Sequence, residues 1–247
     1  MALVPFRVSG AAADQSLEHR MFQIGGHTIR VRQNPAGSGA HHHIRAQQDA
    51  QSRQDGEKEE SKEELDNVGL VVWQSAFVLA EFLVSHAPMG DWRDVRTVDL
   101  GTGTGVVGMV LALAGAEVTL TDLPHVTWLA RENVAANCDS PLIRAQVVDY
   151  AWGDDVTALP ACPDLITGAD IVYQEEHFPP LLQTLKQLAA PHTLIFLSFR
   201  LRGRGEDRFE YMLAEEDFAV MRIPEHALHE EYRDGQYRVL RVCKRGG

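Results

Sequence analysis

Two acidic residues and the glycine-rich turn between them are the residues of this sequence best suited to chemistry. Asp99 closes an apolar run and precedes the turn Gly101-Thr102-Gly103, and Asp122 closes the next apolar run. Glycines let a backbone approach a ligand closely, and a helix that follows such a turn offers backbone N–H groups. A carboxylate at the tip of the second strand can accept hydrogen bonds from both hydroxyls of a ribose. The sequence therefore predicts a site for a nucleoside-containing cofactor, with the amides of Gly101, Thr102 and Gly103 directed at it.

The position of Asp99 favours one such cofactor over another. Residues 103–108 also have the G-x-G-x-x-G spacing of dinucleotide-binding turns. A carboxylate just before the loop would repel a pyrophosphate but attract a cationic amino group. We therefore expect S-adenosylmethionine, with Asp99 holding its methionine ammonium, and keep a nicotinamide-dependent oxidoreductase as the alternative.

The composition of the chain restricts which partners, metal sites and cell compartments are expected. The chain has 247 residues, enough for one large α/β domain, and a net charge of −12, which argues against nucleic acid as the main partner and suits a basic, lysine-bearing protein. Cys138, Cys162 and Cys243 have neither metal-ligand nor disulfide spacing, which indicates a reducing compartment and no metal site. No apolar stretch is long enough to cross a bilayer. We expect a cytoplasmic protein with a protein partner and no membrane partner.

The N-terminal third divides into two unlike parts. Residues 22–31 alternate around Gly25-Gly26, which predicts a β-hairpin. Residues 34–67 contain almost no large apolar residue, so we expect a disordered, low-complexity insertion in which the triplet at 41–43 is solvated histidine. The predicted organisation is an extension with a hairpin at 1–33, the insertion at 34–67 and the main domain at 68–247.

Strands and helices alternate from residue 95 onward, after a helix that Ser75 is expected to cap. The predicted helices cover 106–114, 125–137, 178–188 and 207–214, and the predicted strands cover 95–100, 117–121, 144–149, 165–169, 194–199, 218–223 and 236–243. This alternation indicates an α/β fold with a mostly parallel sheet covered on both faces. The short loop between the last two strands favours an antiparallel hairpin at one edge.

Several segments resemble a known family. Residues 99–105 resemble the first motif of class I, seven-strand methyltransferases, and the chain is more narrowly similar to the cytosolic protein-lysine methyltransferases that modify chaperones, elongation factors and AAA-type ATPases. The similar segments, which fall within 22–33 and from 69 to the C-terminus, are Val71-Val72-Trp73, residues 119–123, Trp152-Gly153, Asp170-x-x-Tyr173 and residues 178–185. The sequence departs from the family at Gln74, where Asp or Pro is usual, and at the insertion.

The resemblance implies a Rossmann-like seven-stranded sheet with an antiparallel C-terminal edge strand, and an S-adenosylmethionine-dependent lysine N-methyltransferase. It implies that Trp73 packs near the sulfonium or amino-acid arm and Trp152 near the adenine. Leu123 beside the ribose acid and the small Ala169 complete the expected cofactor site. A methyltransferase with a different acceptor and a non-catalytic binding module remain alternatives.

The motif Asp170-x-x-Tyr173 is the expected catalytic pair. A lysine ammonium has a pKa near 10.4 and must lose a proton before it can be methylated. Because a neighbouring carboxylate raises the pKa of an amine, we expect Asp170 to position the substrate rather than to act as a base. Tyr173 is expected to shape the lysine channel and to exchange a hydrogen bond there.

Overall fold

A computed structural model describes residues 16–35 and 68–245. The first range forms an antiparallel hairpin of β1 (His19–Ile24) and β2 (His27–Arg32), which confirms the predicted hairpin. Gly25 and Gly26 make its turn with φ of 55° and 82°, a region that side chains with a Cβ rarely adopt. Apart from residues 34 and 35, the predicted insertion and its histidine triplet lie outside the described residues.

Within residues 68–245, seven further strands form one mixed sheet. In chain order they are β3 (Arg96–Leu100), β4 (Glu117–Asp122), β5 (Arg144–Asp149), β6 (Leu165–Ala169), β7 (Leu194–Arg200), β8 (Phe218–Arg222) and β9 (Tyr237–Lys244). Their spatial order is β5-β4-β3-β6-β7-β9-β8. The first five are parallel, and β9 runs antiparallel to both β7 and the edge strand β8. The chain proceeds outward from β3 in one direction and then returns to its other side at β6, so a crevice is expected at the carboxyl ends of β3, β4 and β6.

Among the residues that the structure describes, five α-helices cover the two faces of this sheet. They are α1 (Gln74–His86), α2 (Val106–Ala114), α3 (Pro124–Asn137), α4 (Phe178–Leu188) and α5 (Glu206–Glu215). One apolar core joins the hairpin, α1 and α2 to the sheet, and a second joins α4 and α5 to its opposite face. In the part of the chain that the structure covers, none of the helices is long and apolar enough to span a membrane.

The start of α1 differs from the prediction. Its N-cap is Trp73, whose backbone is extended, and no side chain caps the helix. Ser75 lies inside the first turn, and its carbonyl accepts a hydrogen bond from the Ser198 hydroxyl at 2.7 Å. The expectation that Ser75 caps this helix is wrong, because its position one residue after the helix start fits tertiary contact with β7 instead.

Two asparagines of α3 attach the hairpin to the main sheet. Asn133 accepts from the Arg32 amide at 2.7 Å and donates to the Arg32 carbonyl at 3.0 Å and to the Thr104 carbonyl at 2.9 Å. Asn137 repeats this two-point contact with the amide and carbonyl of Arg30, both at 2.7 Å. The hairpin is therefore bonded to α3, and Asn133 also bonds the glycine turn. The predicted division of the chain into an extension at 1–33, an insertion at 34–67 and a main domain at 68–247 stays a prediction.

Candidate active site

A cavity of about 240 Å³ opens where the carboxyl ends of β3, β4 and β6 meet. All eleven site residues expected from the sequence line it: Trp73, Asp99, Gly101, Thr102, Gly103, Asp122, Leu123, Trp152, Ala169, Asp170 and Tyr173. They come from separate segments between α1 and the loop after β6. The sheet topology thus brings the expected residues together, while their individual roles stay predictions.

Asp99 is a buried carboxylate held by neutral donors. One oxygen accepts from the Thr102 hydroxyl and the other from the Thr167 hydroxyl, each at 2.6 Å. Burial raises its pKa to about 6, although the two hydroxyls and the Gly108 amide act in the opposite direction. Its charge is therefore stabilised incompletely by the protein, which suits a site for a cationic ligand group.

Asp122 ties the glycine turn to the end of β4. Its carboxylate accepts from the amides of Gly103 at 2.7 Å and Leu123 at 2.8 Å, and burial raises its pKa. The Thr102 amide donates to the Thr121 carbonyl at 2.9 Å. Two of the amides expected to point at a cofactor therefore donate within the protein, and that part of the expectation differs from the structure.

At its glycines, the turn presents backbone atoms to the cavity. Gly101 and Gly103 have φ of 61° and 55°, and this conformation folds the turn back on β4. A Cβ built on Gly101 would lie 2.7 Å from Ile171 Cγ2 and 2.9 Å from the Trp152 ring. Only glycine fits between these two walls of the cavity.

Part of the wall was not foreseen from the sequence. The short 3₁₀ turn Val68–Leu70 lies on the glycine turn, where a Cβ on Gly103 would be 3.0 Å from the Gly69 carbonyl oxygen. Trp73 Nε1 donates to the Val68 carbonyl at 2.9 Å, which joins this turn to the start of α1. On the other side His177 meets Trp152 edge-on, with ring centroids 6.2 Å apart. Val68 and Gly69 adjoin the family-like Trp73 segment and could have been found there, whereas nothing in the sequence marks His177.

Asp170, the residue that follows β6, also lines the cavity. Its backbone is left-handed, with φ of 58°, and its amide donates to the Ser198 carbonyl at 2.7 Å. Its carboxylate accepts from both terminal nitrogens of Arg202, at 2.7 and 2.8 Å. The Arg202 guanidinium also lies 5.8 Å from the Trp73 ring centroid. Sequence reasoning missed Arg202, because 32 residues separate the two partners of this ion pair.

These features fit S-adenosylmethionine. Asp99 carries a buried carboxylate and Asp122 a partly buried one, which are groups that suit an ammonium and ribose hydroxyls, and the aromatic ring of Trp152 in the cavity wall suits a heterocycle. When bound, this cofactor supplies a methyl group on a sulfonium. The residues present are therefore compatible with the cofactor expected from the sequence.

The fold is Rossmann-like and resembles the folds of solved methyltransferases. The fold matches a TehB-like SAM-dependent methyltransferase from Corynebacterium glutamicum at 20% identity, over 86% of this chain and 100% of that one, with a TM-score of 0.54. It also matches the 16S rRNA N2 G1207 methyltransferase RsmC of T. thermophilus, solved with AdoMet and guanosine, at 18% identity over 92% of this chain and 50% of that one, with a TM-score of 0.59.

Residues 54–216 match the lysine methyltransferase family, and the chain belongs to that family. It is 34% identical over 236 residues to Protein N-lysine methyltransferase METTL21A of Mus musculus, covering 93% of this chain and 94% of that protein. It is 40% identical over 148 residues to EEF1A lysine methyltransferase 3 of Mus musculus, covering 60% of this chain and 62% of that protein. The predicted family is confirmed, and between the two cofactors considered, family membership decides for S-adenosylmethionine.

Proposed function

We propose that this chain transfers a methyl group from S-adenosylmethionine to the ε-amine of a lysine on a cytosolic protein of the chaperone, AAA-type ATPase or elongation factor type. The observation that carries the proposal is that Asp170 and Tyr173 line the same cavity as Asp99 and Asp122. A donor held at the carboxylates of β3 and β4 would then face an acceptor held at the end of β6.

The walls of the cavity suit an amine that must become neutral. In methyl transfer the lysine nitrogen gives its lone pair to the new carbon–nitrogen bond, the carbon–sulfur bond breaks, and its electron pair stays on sulfur. The ammonium proton must leave first, to water. Trp73, Val71 and Ile171 line the same cavity as Asp170. Apolar surroundings disfavour an ammonium and lower its pKa, so these side chains favour the reactive form.

Asp170 is proposed to orient the amine. A carboxylate has about four lone-pair positions, and two of these accept from Arg202. Acceptor capacity therefore remains for an N–H of the substrate. Tyr173 is proposed to border the lysine channel, and the reaction needs mainly alignment of nitrogen, carbon and sulfur.

The substrate class rests on the family resemblance and on charge. A chain with a net charge of −12 suits a basic, lysine-bearing partner surface. EEF1A lysine methyltransferase 3 carries elongation factor 1A in its name, so elongation factor 1A is one substrate to test. Chaperones and AAA-type ATPases are the others.

Transfer of a radiolabelled methyl group tests the proposal. The wild-type chain is incubated with labelled S-adenosylmethionine and, separately, elongation factor 1A, a seventy-kilodalton heat-shock chaperone, an AAA-type ATPase and a cytosolic extract, and labelled residues are identified by mass spectrometry. Label on lysine supports the proposal. Label on another residue type, or on a small molecule, would show a different acceptor. Absence of binding to S-adenosylhomocysteine would support a non-catalytic module.

Two variants separate donor binding from transfer. Asp170→Asn is expected to lower transfer by about 10- to 100-fold through loss of alignment while S-adenosylhomocysteine affinity changes little. Glu176→Gln, an exposed acid near the same loop, is the matched control and should retain activity. Asp122→Ala should weaken S-adenosylhomocysteine binding in calorimetry, because it removes the ribose acceptor and frees the Gly103 amide. Equal affinity for this variant would contradict the assignment of Asp122.

A further inference from the structure

The ion pair between Asp170 and Arg202 is buried at the acceptor end of the cavity. Side-chain exposure is 6% for Asp170 and 15% for Arg202, and both terminal nitrogens of the guanidinium donate to the carboxylate. Burial alone would lower the pKa of Arg202, but the attraction and hydrogen bonds of Asp170 raise it above its ordinary value. The guanidinium is thus a fixed positive charge against a carboxylate that lines the cavity.

The surroundings hold Arg202 in this position. Its amide donates to Glu206 at 2.8 Å, and the Arg204 amide donates to the other oxygen of Glu206 at 2.9 Å. Glu206 is the first residue of α5, where a helix N-terminus stabilises negative charge. The loop that carries Arg202 is therefore anchored by its backbone independently of the guanidinium.

Other charged or titratable groups around the pair come from β7, β9 and the loop before β9. The Arg200 amide donates to Asp170 at 3.4 Å, and its guanidinium donates to Gln236 at 2.5 Å. Tyr237 of β9 faces both members of the pair, and burial raises its pKa to about 12. Asp234, which precedes β9, acts on Tyr237 in the same direction. The group with the most direct contact to Asp170 is Arg202.

An unpaired carboxylate at this place would oppose the chemistry. A negative charge within about 4–6 Å of an ammonium raises the pKa of the ammonium by about one to three units and so retains the proton that must leave. A carboxylate paired with a guanidinium can still accept a hydrogen bond, but its net charge toward the amine is cancelled.

We propose that Arg202 is a positioning residue for lysine methylation: it fixes the Asp170 carboxylate as a hydrogen-bond acceptor for the amine and cancels the charge that would keep the amine protonated. This inference rests on the proposed function. It assigns the pair two separate effects, alignment through Asp170 and charge balance through Arg202.

The pH dependence of methyl transfer tests the charge-balance effect. Transfer to the protein labelled by the wild-type chain in the extract is measured under single-turnover conditions between pH 6.5 and 9.5. With Arg202→Gln, the pH at which the rate is half-maximal should rise by about one to three units. Asp170→Asn/Arg202→Gln removes both charges, so its midpoint should return to the wild-type value or below, at a lower maximal rate. Arg204→Gln, an exposed arginine in the same loop, is the matched control and should keep the wild-type midpoint.

Two measurements that do not depend on transfer accompany the profiles. S-adenosylhomocysteine affinity of Arg202→Gln should stay within about threefold of wild type, because Arg202 faces the acceptor end. Its melting temperature should fall, and the double variant should recover part of the loss, because an unpaired buried carboxylate is then absent. Arg202→Lys keeps the charge without the two-point geometry, so it should keep the wild-type midpoint and lose rate.

The outcomes are distinct. A wild-type midpoint in Arg202→Gln, with only a lower rate, overturns the charge-balance role and leaves the proposed function intact. If Arg202→Gln does not fold, the double variant supplies the test. A half-maximal pH for the double variant above that of the wild type also overturns the charge-balance role. A wild-type chain that binds S-adenosylhomocysteine but labels no lysine overturns both proposals.

Discussion

Affinity for S-adenosylhomocysteine is expected to fall as the pH is lowered through about 6, the pKa of Asp99 in the folded chain. The ligand keeps the ammonium of the amino-acid arm, and Asp99 can hold it by charge only when ionised. The proton competes with the ligand because burial makes the charged form of Asp99 unfavourable in its absence.

The size of the effect follows from the ionised fraction. With a pKa of about 6, roughly 97% of Asp99 is ionised at pH 7.5 and roughly 24% at pH 5.5, so affinity should fall about fourfold. The wild-type chain is titrated with S-adenosylhomocysteine by isothermal calorimetry at four pH values across this range. The dissociation constant should be flat above pH 7 and should rise steadily below pH 6.

Asp99→Asn is the matched variant, since the titration of the ligand is common to both chains. It should bind about tenfold more weakly at pH 7.5, from loss of one charge-assisted contact, and show no rise below pH 6. Asp122→Asn, whose parent pKa is also raised by burial, should weaken binding but keep the slope that Asp99 causes. An unchanged slope in Asp99→Asn refutes the assignment of Asp99, and a slope lost only in Asp122→Asn transfers the titration to Asp122.

Three further predictions concern stability and ligand binding. The pKa of Asp99 is higher in the folded chain than the unfolded value of 3.8, so protonated Asp99 stabilises the folded chain at low pH. About 3 kcal/mol of this stability is lost as the pH rises from about 4 to 6. In urea unfolding, the free energy of unfolding of Asp99→Asn should therefore increase relative to that of the wild type over this pH window. In the same assay, Asn133→Ala should lower the free energy of unfolding by about 2–3 kcal/mol, and it should also weaken S-adenosylhomocysteine binding. Asn137 is half-buried, so Asn137→Ala should lower the free energy of unfolding by about 1 kcal/mol and leave binding unchanged. Gly101→Ala should abolish S-adenosylhomocysteine binding. Gly203 has a φ of 70° and open space around it, so Gly203→Ala should lower the free energy of unfolding by about 1–2 kcal/mol and still bind the ligand.

Element bounds could be predicted wherever the chain carries its own stop signals. The predicted bounds of 106–114 and 178–188 match α2 and α4 residue for residue. Gly105 and Gly115 flank α2 in left-handed conformations, and the prolines in the first turn of α4 fit a helix start. Where a strand is an apolar run between two such signals, its first and last residues can be predicted within narrow limits.

The expected residues of the cavity lining could be predicted as a set, but their contacts could not. The parallel topology guarantees that the ends of β3, β4 and β6 meet, so Asp99, Asp122 and Asp170 had to converge once the strands were assigned. The direction of the Gly103 amide depends on the φ of its turn, and the Arg202 partner depends on where the loop after β7 travels. Both are set by tertiary structure, for which local pattern carries no signal.

The three carboxylates of the cavity divide it into two electrostatic regions. Asp99 and Asp122 accept from hydroxyls and amides, which are neutral, and burial raises the pKa of both. Asp170 accepts from a guanidinium that neutralises it. The first region retains negative charge, which suits the cationic amino group of the donor proposed here. The second is balanced, and an amine that enters it meets an acceptor but little net charge. The proposed donor keeps a cationic amino group, whereas the proposed acceptor must become neutral, so the two need different environments. With the environments reversed, an uncompensated carboxylate would raise the pKa of the lysine ammonium and retain the proton that has to leave.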